Sequence, residues 1–289
     1  MTGQLGTIDR LYVLDAGKAI APDRSVYTPG KWQGEPVTLS CHAYLLQRRG
    51  EWILWDTGID ERLADAPEGP IIAHGIRGLV TKPLTAQLAE IGLAPADVAM
   101  VLLSHAHFDH IGNARLFRDA RWYIQRREHA AMFGKDFSTF GYAPLLYDCL
   151  RQARLELMDG DVDLFGDGSV RVISTPGHTP GHCSLLVRLA GSGAVLLSGD
   201  AAHDRYNMAH RCVPTMNASA EATLTSMERI AAIVDAERAQ LWLNHDTRSR
   251  RGLRTRRRIS TRGRSLVRPP LDRSAELLER AAALRVCSG

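Results

Sequence analysis

The sequence predicts an α/β protein whose strands end on potential metal ligands. Three observations lead there. Short apolar runs bounded by turn residues recur along the chain, and two segments carry a 3.6-residue apolar period. The stretch SHAHFDHIGN at 104–113 crowds His105, His107, Asp109 and His110 into six positions, a density of borderline donors that points to a bound metal.

Each element follows in order. LYVL at 11–14, VTLSCHAYLLQ at 37–47 and EWILWDTG at 51–58 are rich in β-branched and aromatic residues and close on glycine or charged turns, so each predicts a strand. LTAQLAEIGL at 84–93 sets Leu84, Leu88 and Ile91 on one face and stops at Gly92 and Pro95, which predicts a helix. VAMVLLS at 98–104 is a continuous apolar run, as expected of a strand covered on both faces, and it delivers His105 at its C-terminal end. The histidine cluster is therefore expected on a loop leaving a core strand. WYIQ at 122–125, VRVIST at 170–175, HCSLLVRL at 182–189 and AVLLSGD at 194–200 continue the strands. EATLTSMERIAAIVDA at 221–236 turns Leu224, Met227, Ile230 and Ile233 or Val234 inward as a helix, and QLWLNHD at 240–246 is a last short strand.

Composition bounds the function. With 289 residues, 45% of them hydrophobic and 24% charged, the chain has material for a large core. Its first residues lack a basic start followed by a long apolar run, and no stretch reaches 18 consecutive apolar residues, so a soluble cytoplasmic protein without membrane contact is expected. The five cysteines are scattered, odd in number and form no CxxC pair, which argues against a disulfide framework or a cysteine zinc site and assigns any metal to histidine and carboxylate.

The net charge of +4 is unevenly spread. Residues 246–289 hold thirteen arginines against four acids, a net of +9, which leaves −5 for the rest. We divide the chain into a main domain over 1–246 and an Arg-rich tail over 247–289. The tail is expected to be partly disordered, with a short helix begun by Ser274. Two other readings of the tail are a phosphate-binding surface for an acidic partner such as nucleic acid, and a stretch that replaces the normal end of the fold.

Further ligand types stand at the ends of later strands: His178 in STPGHTPGH, Asp200 closing AVLLSGD, and His245 closing LWLNHD. Taken with His105, His107, Asp109 and His110, this set resembles the metallo-β-lactamase superfamily and its HxHxDH motif, from about Leu11 to Asp246. The resemblance implies an αββα sandwich with two divalent transition-metal ions, zinc first among them, along one edge of the sheets. One ion would take His105, His107 and His178, the other Asp109, His110 and His245, and Asp200 would bridge. An aspartate in that bridging position is similar to the lactonase, glyoxalase II and phosphotriesterase branches. Within them SHAHFDHIGN, QRREHAAM at 125–132, STPGHTPGHCSLLV at 174–187, GDAA at 199–202 and SMERI at 226–230 look most like the N-acyl homoserine lactonases.

That resemblance implies hydrolysis of a small-molecule lactone. Two ions lower the pKa of a bridging water toward about 7, so a hydroxide can attack the carbonyl without a serine or cysteine nucleophile. Asp109 is a candidate to carry the proton to the leaving oxygen. The family motif reads Asp-x-x-Tyr after the bridging acid, whereas this chain has His203, with Tyr206 three positions on. His203 is therefore a second candidate catalytic residue, a donor to the oxygen on which charge develops, the alternative being a solvent-facing loop histidine. The enzymatic runners-up are a glyoxalase II-like thioesterase and a phosphotriesterase, and the non-enzymatic one is a basic-tailed nucleic-acid-binding protein that retains a metal fold. Asp56 in WDTG is where the superfamily places an acid that orients a metal-bound histidine. His182 is expected behind the ligands, Gly177 and Gly181 in tight turns, and His42, His74, His129 and His210 as ordinary side chains.

Overall fold

A computed structural model describes residues 5–73 and 75–246. The expectations for the tail, and for His74, lie outside the described residues. The first sheet comprises β1 (Arg10–Ala21), β2 (Val37–Arg48), β3 (Glu51–Trp55), β4 (Ile71–Ala73), β5 (Ile76–Leu79), β6 (Val98–Leu102), β7 (Arg121–Gln125) and β8 (Arg154–Met158), in the order β4-β5-β1-β2-β3-β6-β7-β8. Helices α1 (Leu84–Ala89), α2 (Phe108–Ile111) and α3 (Arg126–Phe133) interrupt it. The second sheet, β9 (Val162–Asp163), β10 (Val170–Ser174), β11 (Cys183–Leu189), β12 (Gly193–Leu197) and β13 (Gln240–Trp242), runs β13-β12-β11-β10-β9. Helices α4 (Arg205–His210) and α5 (Ala220–Glu237) lie between β12 and β13 in sequence.

Side-chain alternation explains the layers. Along β3, Ile53 and Trp55 point between the sheets with Leu46, Val172, Leu185 and Leu197, while Leu54 points the other way, toward Leu84 and Leu88 of α1 and Met132 of α3. In β11, Leu185 and Val187 join the central layer and Leu186 meets Ile230 of α5 on the far side. Both sheets are thus apolar on both faces, which is why their strands read as continuous apolar runs. The result is helix, sheet, sheet, helix: the expected αββα sandwich.

The differences from expectation have local causes. β1 runs seven residues past Leu14, because a bulge between Asp15 and Lys18 absorbs the Asp–Ala–Gly–Lys stretch that breaks the apolar run. β4, β5, β8 and β9 are edge or near-edge strands: β5, β8 and β9 carry exposed polar residues, and β4 is only three residues long. α2, α3 and α4 span only four, eight and six residues, too short for a period to emerge. No helix among the described residues is long and apolar enough to cross a membrane.

Candidate metal centre

Strand register brings the ligand types together. β12 and β13 are parallel with Leu197 opposite Trp242, and three residues beyond each lie Asp200 and His245. Ser104 leaves β6 and accepts from the Cys183 amide at the start of β11 (3.0 Å), which ties the two sheets at the same edge. From there the chain passes through His105 and His107 into α2, which carries Asp109 and His110. His178 follows β10 in a turn closed by two glycines. Gly177 has φ +136° and a Cβ on it would lie 2.3 Å from the Thr223 amide nitrogen, while one on Gly181 would lie 2.1 Å from that of Glu128.

Every predicted ligand histidine has one nitrogen tied down by an acceptor outside the cluster. His105 Nδ1 donates to Ser104 Oγ (3.0 Å) and His110 Nδ1 to Asp56 Oδ2 (2.8 Å). His107 Nε2 donates to the Phe140 carbonyl (2.8 Å), His178 Nδ1 to Asn217 Oδ1 (2.9 Å) and His245 Nδ1 to the Ser40 carbonyl (2.8 Å). The other nitrogen of each ring faces inward, the atom a metal would take in place of a proton.

These inner atoms converge. His107 Nδ1 is 3.0 Å from His105 Nε2 and 2.9 Å from His178 Nε2. Nitrogens about 2.0–2.1 Å from a tetrahedral zinc stand roughly 3.3 Å apart, so this triangle is close to the size an ion needs. Asp200 Oδ2 lies 3.5 Å from His178 Nε2, 3.8 Å from His105 Nε2 and 2.9 Å from His245 Nε2, and its Oδ1 lies 3.2 Å from His110 Nε2. Asp109 Oδ2 is 3.8 Å from His110 Nε2 and 3.7 Å from His245 Nε2. The second set is therefore looser than the first, joined through its carboxylates.

Electrostatics separates the two sets. Burial depresses His105, His107 and His178, keeping them neutral as metal donors must be. Burial alone would also depress His110, but Asp200, Asp109 and Asp56 outweigh it and hold the ring well above its usual range. His245 is likewise raised to about 9 against its burial, chiefly by Asp200. The carboxylates demand positive charge at this end, which a divalent ion supplies in competition with protons. Asp200 Oδ1 is buried and accepts no hydrogen bond among the described residues, a further opening for a cation. The donor set fits divalent metal.

Supporting residues show what spacing could not. Asp56, at φ 58°, accepts from both the amide (2.8 Å) and hydroxyl (2.8 Å) of Ser104 besides His110. His182 stands behind Asp200, accepting from its amide at Nε2 (2.8 Å) and donating from Nδ1 to the Thr175 carbonyl (2.8 Å). Glu128 accepts from the Ala106 amide (2.9 Å), Tyr142 hydroxyl (2.6 Å), Thr179 hydroxyl (2.7 Å) and Gly181 amide (2.9 Å), tying the loops of His107 and His178 to one carboxylate. The Cys41 thiol donates to Asp109 Oδ2 (3.5 Å) and stands with Asp109 and His245 in a possible donor triad, brought there by β2 rather than by any local motif. His203 is buried, 3% exposed, not on a solvent-facing loop; its ring stacks on His245 (centroids 5.1 Å apart, 17°) with Nε2 3.6 Å from Asp200 Oδ2. His42 is buried too, donating from Nδ1 to the Asn244 carbonyl (2.8 Å) and so bracing the segment before His245.

The cluster floors a cavity of about 420 Å³ whose walls include Tyr27, Leu39, Phe108, His203 and Met216. A family model of the Metallo-beta-lactamase superfamily matches residues 37–236. The chain belongs to the metallo-β-lactamase superfamily. Within that superfamily it is 31% identical over 257 residues to an N-acyl homoserine lactonase of Bacillus sp, covering 85% of this chain and 96% of that one. The N-acyl homoserine lactonase AiiA of Bacillus thuringiensis subsp. kurstaki is 29% identical over 258 residues, or 86% of this chain and 97% of its own length. Among solved structures, an N-acyl homoserine lactone hydrolase with the product N-hexanoyl-L-homoserine at its catalytic metal centre superposes with a TM-score of 0.73 at 28% identity, covering 86% of this chain and 98% of the other.

Proposed function

We propose that the protein is a metal-dependent hydrolase that opens the lactone ring of N-acyl homoserine lactones, and so acts in quorum quenching. The observation that carries this reading is the position of Asp200 between two groups of inward-facing donors, in a superfamily member similar to named lactonases along nearly their whole length. His105, His107 and His178 would hold one divalent ion, zinc by donor chemistry, and Asp109, His110 and His245 the other, with Asp200 shared. When bound, such ions make water a nucleophile at neutral pH and withdraw charge from the lactone carbonyl.

The chain's own groups do the rest. Leu39, Ile76, Phe108 and Met216 give the cavity an apolar side for an acyl chain, while its carboxylates and imidazoles gather at the floor. Water adds to the carbonyl carbon, the ring C–O bond breaks, and the ring oxygen leaves as the alcohol of a hydroxy acid. Asp109 carries the proton: Cys41 engages its Oδ2, and no described residue donates to Oδ1, which can accept from water and return the proton to the ring oxygen. His203, depressed to about 4 chiefly by burial, is a neutral imidazole at the cavity wall and donates to the oxygen that gains charge. Among the described residues Cys41, Cys149, Cys183 and Cys212 are free thiols, which suits the reducing cytoplasm as its setting.

A hydrolysis panel on zinc-loaded protein tests the reading: acyl-homoserine lactones, simple lactones, a glutathione thioester and a phosphotriester. Acyl-homoserine lactones should be turned over fastest. Turnover of the thioester or phosphotriester with no lactone opened would overturn the assignment.

A further inference from the structure

The cavity wall beside His203 carries a phenol that the mechanism above does not use. Tyr27 is 6% exposed, and its ring packs among Ala19, Leu39 and Ile76 and against the His203 ring (centroids 4.9 Å apart, 51°). A phenylalanine would satisfy all of those contacts. The hydroxyl is another matter: among the described residues none hydrogen-bonds to it, it is not sealed from solvent, and the residue lines the cavity. Burial pushes the phenol above its ordinary range, and the nearby charges of Asp109 and Asp200 push it further, so it remains a donor at any working pH.

Its position is fixed from outside the cavity. Asn207, fully buried at the centre of α4, donates from Nδ2 to the Tyr27 carbonyl (3.0 Å) and to Thr28 Oγ1 (3.0 Å). Arg24 pairs with Asp204 (3.1 Å), the residue next to His203, and the Thr215 amide donates to the Val26 carbonyl (2.9 Å). The segment bearing Tyr27 is thus clamped to the segment bearing His203, and phenol and imidazole share one wall above the two carboxylates. A hydroxyl held rigidly at the cavity wall beside a metal-type cluster, with no partner among the described residues, is free to donate to whatever molecule fills the cavity.

We propose that the Tyr27 hydroxyl donates a hydrogen bond to the substrate's carbonyl oxygen, a contact that strengthens as that oxygen becomes an oxyanion. No proton is transferred; the phenol and His203 form a donor pair on one side of the reacting centre. The inference rests on the lactone reading for the identity of the ester, not for the role of the phenol.

Tyr27→Phe tests it, with metal content and unfolding midpoint confirming an intact protein. The variant should lose roughly tenfold to a thousandfold in kcat with little change in KM, as expected for a contact made mainly in the transition state. It should also bind a cyclic phosphonate that mimics the tetrahedral intermediate more weakly by a similar factor, while binding the ring-opened product as the wild type does. A kcat within twofold of wild type, or unchanged phosphonate affinity, would overturn the proposal. Should the wild type open no lactone, the substrate reading fails on its own, and the phosphonate affinity of the two proteins still decides the role of Tyr27.

Discussion

His110 Nδ1 lies 2.8 Å from Asp56 Oδ2, both groups fully buried, and that contact fixes which nitrogen of the ring faces the candidate metal centre. Asp56→Asn can offer His110 an N–H where it needs an acceptor, which frees the ring to turn. Zinc affinity should fall by about 10- to 100-fold, measured by competition with a chromogenic chelator. Unchanged affinity would mean that His110 keeps its orientation by packing alone.

Glu128→Ala strips the acceptor from four donors at once: two amides and two hydroxyls, all against a fully buried carboxylate. Each buried donor left alone costs about 1–3 kcal/mol, so the variant should lose at least about 3 kcal/mol in urea unfolding of the metal-saturated protein. A loss below about 1 kcal/mol would show that water replaces the carboxylate.

His203→Ala should lower kcat by one to three orders of magnitude, on the order expected for one lost donor, with metal content unchanged. Because burial holds His203 near 4, its ring is neutral from about pH 5 upward, and the deficit should be the same at pH 6 and pH 8. The same depression, shared by His182 at about 4, has a stability consequence. The unfolded chain binds these protons near pH 6.5 and the folded chain only near 4, so stability should decline as pH falls through that window. A His203→Ala deficit confined to the acid side would instead identify the imidazolium as the active form.

The centre was legible in the sequence because its ligands are either locally dense, as at 105–110, or sit at strand ends, as at Asp200 and His245, where an α/β sheet gathers function. What orients them was far less legible. Asp56 was readable only through the family resemblance, whereas Asn217, 39 residues from His178, and Glu128, 53 from Gly181, were not readable at all. Such pairs leave no spacing signature, since tertiary packing alone makes them neighbours. Cys41 and Tyr27 escaped for the same reason: one hides in an apolar strand and the other in a turn, and only the register of β2 and the clamp at Asn207 bring them to the cavity. The strands of the central layer were readable from their unbroken apolar runs, whereas the edge strands and one-turn helices were not.

The Arg-rich residues 248–289 remain outside the proposed chemistry. A chain ending at Thr247 should keep its full turnover, measured against the complete protein at equal metal content. If the arginines bind nucleic acid, the complete chain should do so with a steep salt dependence and the shortened one should not. Lost turnover with fold and metal intact would assign these residues a part in the site.

Titration of the metal-free protein with zinc, reading bound metal and lactone turnover at each point, tests the two-ion lactonase most directly. Turnover of an N-acyl homoserine lactone should rise to a plateau at two ions per chain, with His178→Ala weakening one of the two and Asp200→Ala disturbing both. A plateau at a single ion, or two bound ions with no lactone opened, would contradict it.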